Sequence, residues 1–123
     1  LCRPTAETWL LYGDGSAGYS LAEFDTFARH NVPVIAVVGN DASWAQIARD
    51  QVEILGTALG TELARTEYHK VAEGYGGAGL CVDSAEQVIP VLTEAKRIAH
   101  EGRPVLVNVM IGKTDFRKGS ISM

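Results

Sequence analysis

Two short apolar runs, each ending beside a glycine and a polar side chain, constrain this sequence more than any other feature. The first run spans residues 8–12 and leads into Gly-Asp-Gly-Ser at residues 13–16, and the second spans residues 34–38 and leads into Gly39 and Asn40. Short apolar runs bounded by glycine are typical of strands buried in a parallel sheet. We therefore predict a buried strand for each run, with a polar group at its end.

Helical and strand patterns alternate along the rest of the chain. Gly13, Gly15 and Gly18 predict a loop after the first strand. A Ser-x-x-Glu capping box at residues 20–23 then predicts a helix ending near residue 30. Further helices are predicted over residues 43–49, 68–75 and 83–100, strands over 79–82 and 105–111, and loop with irregular helix over 50–66. This order predicts an α/β domain with a parallel sheet covered by helices on both faces. At 123 residues the chain is about one domain, in which residues 113–123 are predicted to be a polar surface tail.

The ends of the first two strands form the candidate site. Parallel α/β sheets bind ligands outside the carboxyl ends of their strands, and the 24 residues between Gly15 and Asn40 suit one crossover that brings Asp14 and Asn40 together. Carboxylate and amide oxygens suit Mg²⁺, which also takes phosphate oxygens and water. Gly13 and Gly15 let backbone N–H groups approach a phosphate closely. The residues therefore favour a site for a metal ion and a diphosphate.

Two alternatives remain for the same residues. Residues 13–18 also satisfy the G-x-G-x-x-G pattern of dinucleotide-binding domains. In such a loop the Asp14 carboxylate would face a phosphate, and two unit charges at 4 Å repel by about 4 kcal/mol at an effective dielectric of 20. A bound Mg²⁺ removes that conflict, which favours the metal. The second alternative is a plain turn. Asp41 is expected to be a solvated loop carboxylate or a local cap, and Trp44 a core or interface aromatic.

Several classes of function are disfavoured by composition. The formal net charge is -4, and no cluster of lysine and arginine suggests a nucleic-acid surface. No apolar run approaches the roughly 20 residues that cross a bilayer. His30, His69 and His100 lie near predicted helix ends, and no Ser/His/Asp constellation is apparent. Groups for proton transfer are therefore expected outside this chain.

The pair of motifs resembles the diphosphate-binding motif of thiamine-diphosphate-dependent enzymes, in which Gly-Asp-Gly is followed at this spacing by Asn. The sequences YHKVAEGYGGAG at residues 68–79 and GRPVLVNV at residues 102–109 are similar to the acetolactate synthase branch of that family. Within the branch, GYSLAEFDT at residues 18–26 and TDFRKGS at residues 114–120 are similar to the animal acetolactate synthase-like proteins, also described as 2-hydroxyacyl-CoA lyases. The resemblance covers nearly the whole chain.

The resemblance implies a specific set of site residues. The side chains of Asp14 and Asn40 and the backbone carbonyl of Ala42 would bind Mg²⁺. Thiamine diphosphate would be held at Gly13, Gly15 and Ser16 through its diphosphate. Asp41 departs from the family pattern, because many relatives have a second asparagine there, and we assign it no binding role.

The resemblance also implies an architecture and a reaction. Residues 1–112 would be the C-terminal part of the diphosphate-binding domain, inactive alone. The glutamate that activates the cofactor would come from an N-terminal domain of a partner subunit in a homo-oligomer, a dimer or a tetramer. The best-matched reaction on a small-molecule substrate is cleavage of a 2-hydroxyacyl-CoA to an aldehyde and formyl-CoA, and the same-class alternative is acetolactate formation. An NAD-binding dehydrogenase domain and a non-catalytic assembly domain are the alternatives from other classes. The likeness suggests the endoplasmic reticulum membrane as location, through a segment outside this chain.

Overall fold

The computed structural model describes residues 5–113, which form one four-stranded sheet with helices packed on it. The elements in chain order are β1 (Thr8–Gly13), α1 (Asp14–Ala17), α2 (Glu23–Arg29), β2 (Val34–Asn40), α3 (Ala45–Leu55), α4 (Tyr68–Gly74), β3 (Ala78–Val82), a 3₁₀ turn (Ala85–Gln87), α5 (Val88–His100) and β4 (Val105–Met110). Strands and helices therefore alternate in the predicted order. The predicted tail falls almost wholly outside the described residues.

All four strands are parallel and lie in the order β1-β2-β4-β3. The register pairs Gly13 with Gly39 and Asn40 with Met110, so the carboxyl ends of β1, β2 and β4 meet at one edge. The predicted α/β class with a parallel sheet is confirmed. The final strand lies between β2 and β3, and this insertion places β4 directly beside the strand that ends in Asn40.

Alternate residues of β2 and β4 face opposite sides of the sheet, because side chains alternate along a strand. On one side Ala36 and Leu106 pack in a core with α2 and α4. On the other side Ile35 and Val105 pack in a second core with α5. Helices therefore cover both faces, as predicted.

The Gly-Asp-Gly-Ser segment is helical, and the prediction of a loop there was wrong. Gly13 ends β1, and α1 begins directly at Asp14. Gly18 closes the single helical turn by donating its N–H to the carbonyl of Asp14 at 2.9 Å. The glycines pointed to a loop, but Gly15 and Ala17 are small enough for this turn to be buried.

Two further helix boundaries differ from the sequence prediction. The Ser20 hydroxyl accepts the N–H of Ala22 at 3.3 Å, so Ser20 lies in the turn before α2 and the helix begins at Glu23. Helix α3 extends to Leu55, where Gly56 ends it with a φ of +69°. None of the residues of α3 is buried within the described part of the chain.

Among the described residues strand β1 is an edge strand, and the prediction that it is buried is wrong for this part of the chain. Within residues 5–113 it pairs with β2 alone, and the side chain of Leu11 is 76% exposed. Tyr12 is half-buried against the first core. The apolar run was identified correctly as a strand, but the described residues do not cover it.

The second half of the chain follows the prediction more closely. Helix α4 packs closely on β3, because Gly79 leaves room for the backbone of His69. Helix α5 ends at His100, and Gly102 follows with a φ of +88°. None of the helices described between residues 5 and 113 has the length and apolar character needed to cross a membrane.

Candidate functional site

A cavity of about 830 Å³ opens at the carboxyl ends of β1 and β2. Its walls include Gly13, Asp14, Gly15 and Ser16, as the sequence predicts, and Asp41 and Trp44 from the loop after β2. The volume falls in the range of about 300–1,000 Å³ that is usual for ligand and cofactor sites. Asn40 and Ala42, the remaining predicted site residues, are buried behind this wall.

The Asp14 carboxylate lies at the base of the cavity and is only 2% exposed. Its Oδ1 accepts the N–H of Gly15 at 3.0 Å, and its Oδ2 accepts the N–H of Ser43 at 3.2 Å. The Tyr68 hydroxyl donates to the Asp14 backbone carbonyl at 3.1 Å and holds α1 against α4. Backbone N–H groups do not neutralise a carboxylate, and a buried charge is stable when it is paired or binds a metal. This side chain is therefore suited to bind a cation.

The Asn40 side chain is 0% exposed and is hydrogen-bonded at both ends of its amide. Its Oδ1 accepts the N–H of Ala42 at 3.3 Å. Its Nδ2 donates to the carbonyl of Thr66 at 3.0 Å and to Oδ1 of Asn108 at 3.3 Å. The amide oxygen therefore faces the loop that follows β2, on the same side as Asp14.

The loop after β2 brings the oxygens of Asp14 and Asn40 to consecutive backbone N–H groups. Asn40 accepts the N–H of Ala42, and Asp14 accepts the N–H of Ser43. Ala42 has a φ of +57°, a left-handed conformation that is uncommon for alanine and that clusters at functional sites. Its carbonyl accepts the N–H of Leu63 at 2.9 Å, which leaves one lone pair for another partner.

The structure gives different physical reasons for glycine at positions 13 and 15. Gly13 has a φ of −81° and a ψ of 166°, which any residue adopts, and an added Cβ would meet no atom of residues 5–113 within 4 Å. These residues therefore do not require glycine there, but a side chain would extend into the space beside the cavity. At Gly15 an added Cβ would lie 2.8 Å from the Trp44 indole, so the packing of that ring requires glycine.

Asp41 is half-buried at the cavity wall, so it is less solvated than one of the two expectations, and it accepts the N–H of Ser43, as the local-cap expectation requires. Burial and the nearby Asp14 carboxylate raise the pKa of Asp41 above its ordinary value, and the N–H of Ser43 acts in the opposite direction. Two carboxyl groups therefore lie at one end of the cavity. Their proximity favours a positively charged ligand between or beside them.

Asn108 and Arg65 contribute to the site and were missed by the sequence reasoning. Asn108 is fully buried in β4, and its signal was available because it interrupts the apolar run of that strand. The Arg65 guanidinium donates to the carbonyls of Asn40 and Ile111, each at 3.1 Å, and so joins the ends of β2 and β4. Its position in an irregular loop gave no signal in the sequence.

The kind of metal site and the position of Gly18 bear on the choice between a metal–diphosphate site and a dinucleotide-binding loop. Within residues 5–113 no three His, Cys, Asp or Glu side chains lie close enough together to hold a metal. A metal site here would therefore combine one carboxylate with amide and carbonyl oxygens. The third glycine of G-x-G-x-x-G, Gly18, ends α1, whereas a dinucleotide-binding loop opens a long helix at this point.

Comparison with known proteins places this architecture among thiamine-dependent enzymes. Residues 1–109 match the family model "Thiamine pyrophosphate enzyme, C-terminal TPP binding domain". The chain is 54% identical over 125 residues to 2-hydroxyacyl-CoA lyase 2 of Homo sapiens, covering 100% of this chain and 20% of that protein. It is 36% identical over 111 residues to an acetolactate synthase large subunit of Mycobacterium tuberculosis, covering 89% of this chain and 20% of that protein. The chain thus spans about a fifth of the length of these curated relatives.

Solved structures give the same assignment of the fold. A thiamine diphosphate-dependent 4-hydroxybenzoylformate decarboxylase from Rhodococcus jostii superposes with a TM-score of 0.79 at 25% identity, over 91% of this chain and 21% of that one. A benzoylformate decarboxylase from Polynucleobacter necessarius superposes with a TM-score of 0.76 at 22% identity, over 88% of this chain and 20% of that one.

Proposed function

Because this chain belongs to the thiamine pyrophosphate enzyme family, as its C-terminal TPP-binding domain, we propose that its cavity binds thiamine diphosphate together with Mg²⁺. The observation that carries this proposal is the Asp14 carboxylate, 2% exposed at the base of the cavity with backbone N–H groups as its hydrogen-bond donors. The whole protein would be a carbon–carbon lyase that cleaves a 2-hydroxyacyl-CoA to an aldehyde and formyl-CoA. The names of the relatives at 54% identity support this choice of reaction.

In this proposal the side chains of Asp14 and Asn40 and the carbonyl of Ala42 hold the Mg²⁺. The side-chain oxygens of Asp14 and Asn40 already approach adjacent N–H groups of one loop, and the carbonyl oxygen of Ala42 retains a lone pair. One carboxylate, one amide and one carbonyl leave about three positions of an octahedral ion for phosphate oxygens and water. The donor set therefore fits Mg²⁺ that bridges the protein to a diphosphate.

The diphosphate would lie against Gly13, Gly15 and Ser16. An added Cβ at Gly13 would meet none of the described atoms within 4 Å, which fits a ligand that occupies the space beside it. Ser16 is exposed at the cavity wall, where its hydroxyl can donate to a phosphate oxygen. When bound, thiamine diphosphate supplies a carbon nucleophile and an electron sink for cleavage beside a carbonyl group. These residues would anchor the cofactor, and Trp44 forms part of the cavity wall beside it.

The complete protein would work as a homo-oligomer, a dimer or a tetramer. Helix α3 supports this part of the proposal, because it borders the cavity and leaves Ile54 77% exposed and Leu55 66% exposed. Large exposed apolar side chains that cluster on one element are typical of surfaces that another molecule covers. Light scattering on the full-length protein tests the oligomeric state, and the mass of a monomer would contradict the proposed homo-oligomer.

Binding calorimetry on the full-length protein tests whether thiamine diphosphate binds and whether Mg²⁺ is needed. We expect thiamine diphosphate to bind only when Mg²⁺ is present, and Asp14→Asn to weaken that binding at least about 100-fold, because it removes a charge beside a divalent ion. Glu86→Gln, the same change of charge at an exposed position in the 3₁₀ turn away from the cavity, should leave the affinity within about threefold of the unmodified protein.

The other functions give different outcomes in that experiment. Metal-independent binding of NAD would overturn the proposal in favour of a dehydrogenase domain. A folded protein that binds neither cofactor would favour a non-catalytic assembly domain. Acetolactate synthase relatives at 36% identity support the same-class alternative. Product analysis with a 2-hydroxyacyl-CoA and, separately, with pyruvate distinguishes the two reactions, because only the lyase releases formyl-CoA.

A further inference from the structure

We propose that Asn108 is a positioning residue that turns the amide oxygen of Asn40 toward the Mg²⁺ site. This inference rests on the proposed function, in which Asn40 is a metal ligand. Both side chains are 0% exposed, and they lie on β4 and β2, which are neighbours in the sheet. Asn108 is not a wall residue of the cavity, so it acts on the site through Asn40.

A metal-binding asparagine must present one end of its amide. The oxygen coordinates a cation, whereas the NH₂ group has no lone pair to offer and carries partial positive charge. A half-turn of the terminal torsion exchanges these ends with little change in shape, so packing alone does not select between them. For Asn40 the selection comes from hydrogen bonds. Its Nδ2 donates to the carbonyl of Thr66 at 3.0 Å and to Oδ1 of Asn108 at 3.3 Å.

Asn108 is itself held in one orientation by two acceptors. Its Nδ2 donates to the carbonyl of Thr66 at 3.2 Å and lies 3.4 Å from Nδ1 of His69. An amide nitrogen only donates, so the contact with His69 is a hydrogen bond when Nδ1 is unprotonated and the proton is on Nε2. His69, Asn108, Thr66 and Asn40 therefore form one amide network with a fixed direction from donor to acceptor.

The amide network excludes the reversed orientation of Asn40. A reversed amide would place its oxygen against the Thr66 carbonyl and against Oδ1 of Asn108, acceptor against acceptor. It would also place its NH₂ against the N–H of Ala42, donor against donor. Each unsatisfied pair is costly in a site without solvent. Two of these three contacts would remain without Asn108, so its removal weakens the selection and does not abolish it.

Calorimetric titration of the full-length protein with Mg²⁺, at saturating thiamine diphosphate, tests the inference without an activity assay. Asn108→Leu keeps the approximate size of the side chain and removes its polar atoms. We expect it to weaken Mg²⁺ binding roughly 10- to 100-fold, the usual effect of losing a group that orients a metal ligand. The electron paramagnetic resonance of bound Mn²⁺ should show the same loss of affinity.

A control variant separates positioning from a general loss of stability. Leu106→Val lies on the same strand and the same face, is fully buried, and changes no polar atom of the amide network. It should bind Mg²⁺ within about threefold of the unmodified protein, because it leaves every hydrogen bond of the network in place. An equal loss of affinity in Leu106→Val and Asn108→Leu would overturn the positioning role.

The outcomes also distinguish this inference from the proposed function. Normal Mg²⁺ binding by the unmodified protein and by Asn108→Leu overturns the inference alone. Absence of Mg²⁺-dependent cofactor binding in the unmodified protein overturns both. If Asn108→Leu does not fold, His69→Leu serves in its place, because it removes the acceptor behind Asn108 at a half-buried position. It should weaken Mg²⁺ binding about threefold to tenfold, and an unchanged affinity would overturn the inference.

Discussion

Replacing Gly15 with alanine should disturb the candidate site through a single aromatic ring. The new methyl carbon would lie 2.8 Å from three atoms of the Trp44 indole. Carbon atoms in contact lie about 3.5–4.0 Å apart, so the ring or α1 must move by about 1 Å. Such overpacking costs about 1–3 kcal/mol, and alanine in a helix recovers up to about 1 kcal/mol relative to glycine. We expect the free energy of unfolding to fall by about 1 kcal/mol.

The same displacement should affect the ligand. Trp44 forms part of the cavity wall and contacts Tyr19 edge-on, with ring centroids 5.7 Å apart. A ring pushed from Gly15 moves toward the cavity or toward Tyr19, so we expect thiamine diphosphate to bind about tenfold more weakly, equivalent to about 1.4 kcal/mol. Urea unfolding and binding calorimetry on the full-length protein measure the two effects separately.

A second substitution shows whether the ring is the cause. In a Trp44→Ala background the methyl group has no indole to meet, so Gly15→Ala should become neutral or stabilising by up to about 1 kcal/mol. Gly74→Ala is the matched control, because an added Cβ there meets no atom within 4 Å, and it should stabilise the protein in both backgrounds. An equal loss of stability from Gly15→Ala with and without Trp44 would refute the reasoning.

Three further substitutions test the packing and the electrostatics around the site. Gly79→Ala would place a methyl group 2.4 Å from the backbone oxygen of His69, where neither backbone can yield easily. It should cost about 3 kcal/mol or more, seen as lost soluble yield or a lower urea midpoint, and a normal midpoint would contradict the close packing of α4 on β3. The pKa of Asp41 is raised, chiefly by burial and then by Asp14, so the protonated side chain stabilises the protein at low pH and this stability is lost as the pH rises through that pKa. Asp41→Asn should therefore stabilise the metal-free protein by about 0.5 kcal/mol at pH 7 and have no effect below about pH 4. An equal gain in urea unfolding at the two pH values would argue against this cause. Tyr68→Phe removes the hydrogen bond to the carbonyl of Asp14 and should lower the free energy of unfolding by about 1 kcal/mol, whereas no change would show that Gly18 alone holds that turn.

The sheet and the pairing of its first two strands were predictable from the sequence. The apolar runs at residues 8–12 and 34–38 require a sheet, and the helix between them requires a parallel crossover. Parallel strands end at the same edge, so the positions of Asp14 and Asn40 in the sequence already place both at one end of the sheet. This inference is strong because the geometry of one strand–helix–strand crossover depends only on the short stretch of chain that forms it.

Contacts between distant parts of the chain were not predictable in the same way. Asn108 was visible as a polar residue in an apolar run, but its partner depends on β4 lying between β2 and β3. That order reflects how the whole sheet packs, and local patterns do not determine it. Likewise, the apolar run of β1 predicts that some surface covers Leu11, but the pattern does not specify which surface does so.

The Gly-Asp-Gly motif illustrates why a correct motif can still conceal its physical basis. In sequence, Gly13 and Gly15 are equivalent, and both suggested freedom for the backbone. In the structure neither has a positive φ. Gly15 is required by the aromatic ring of Trp44, which lies 29 positions later in the sequence. Gly13, in contrast, has no neighbour within 4 Å of an added Cβ among the described residues. A glycine that the described residues do not need, beside a buried carboxylate at a cavity wall, fits the space that the diphosphate would take in the proposed function.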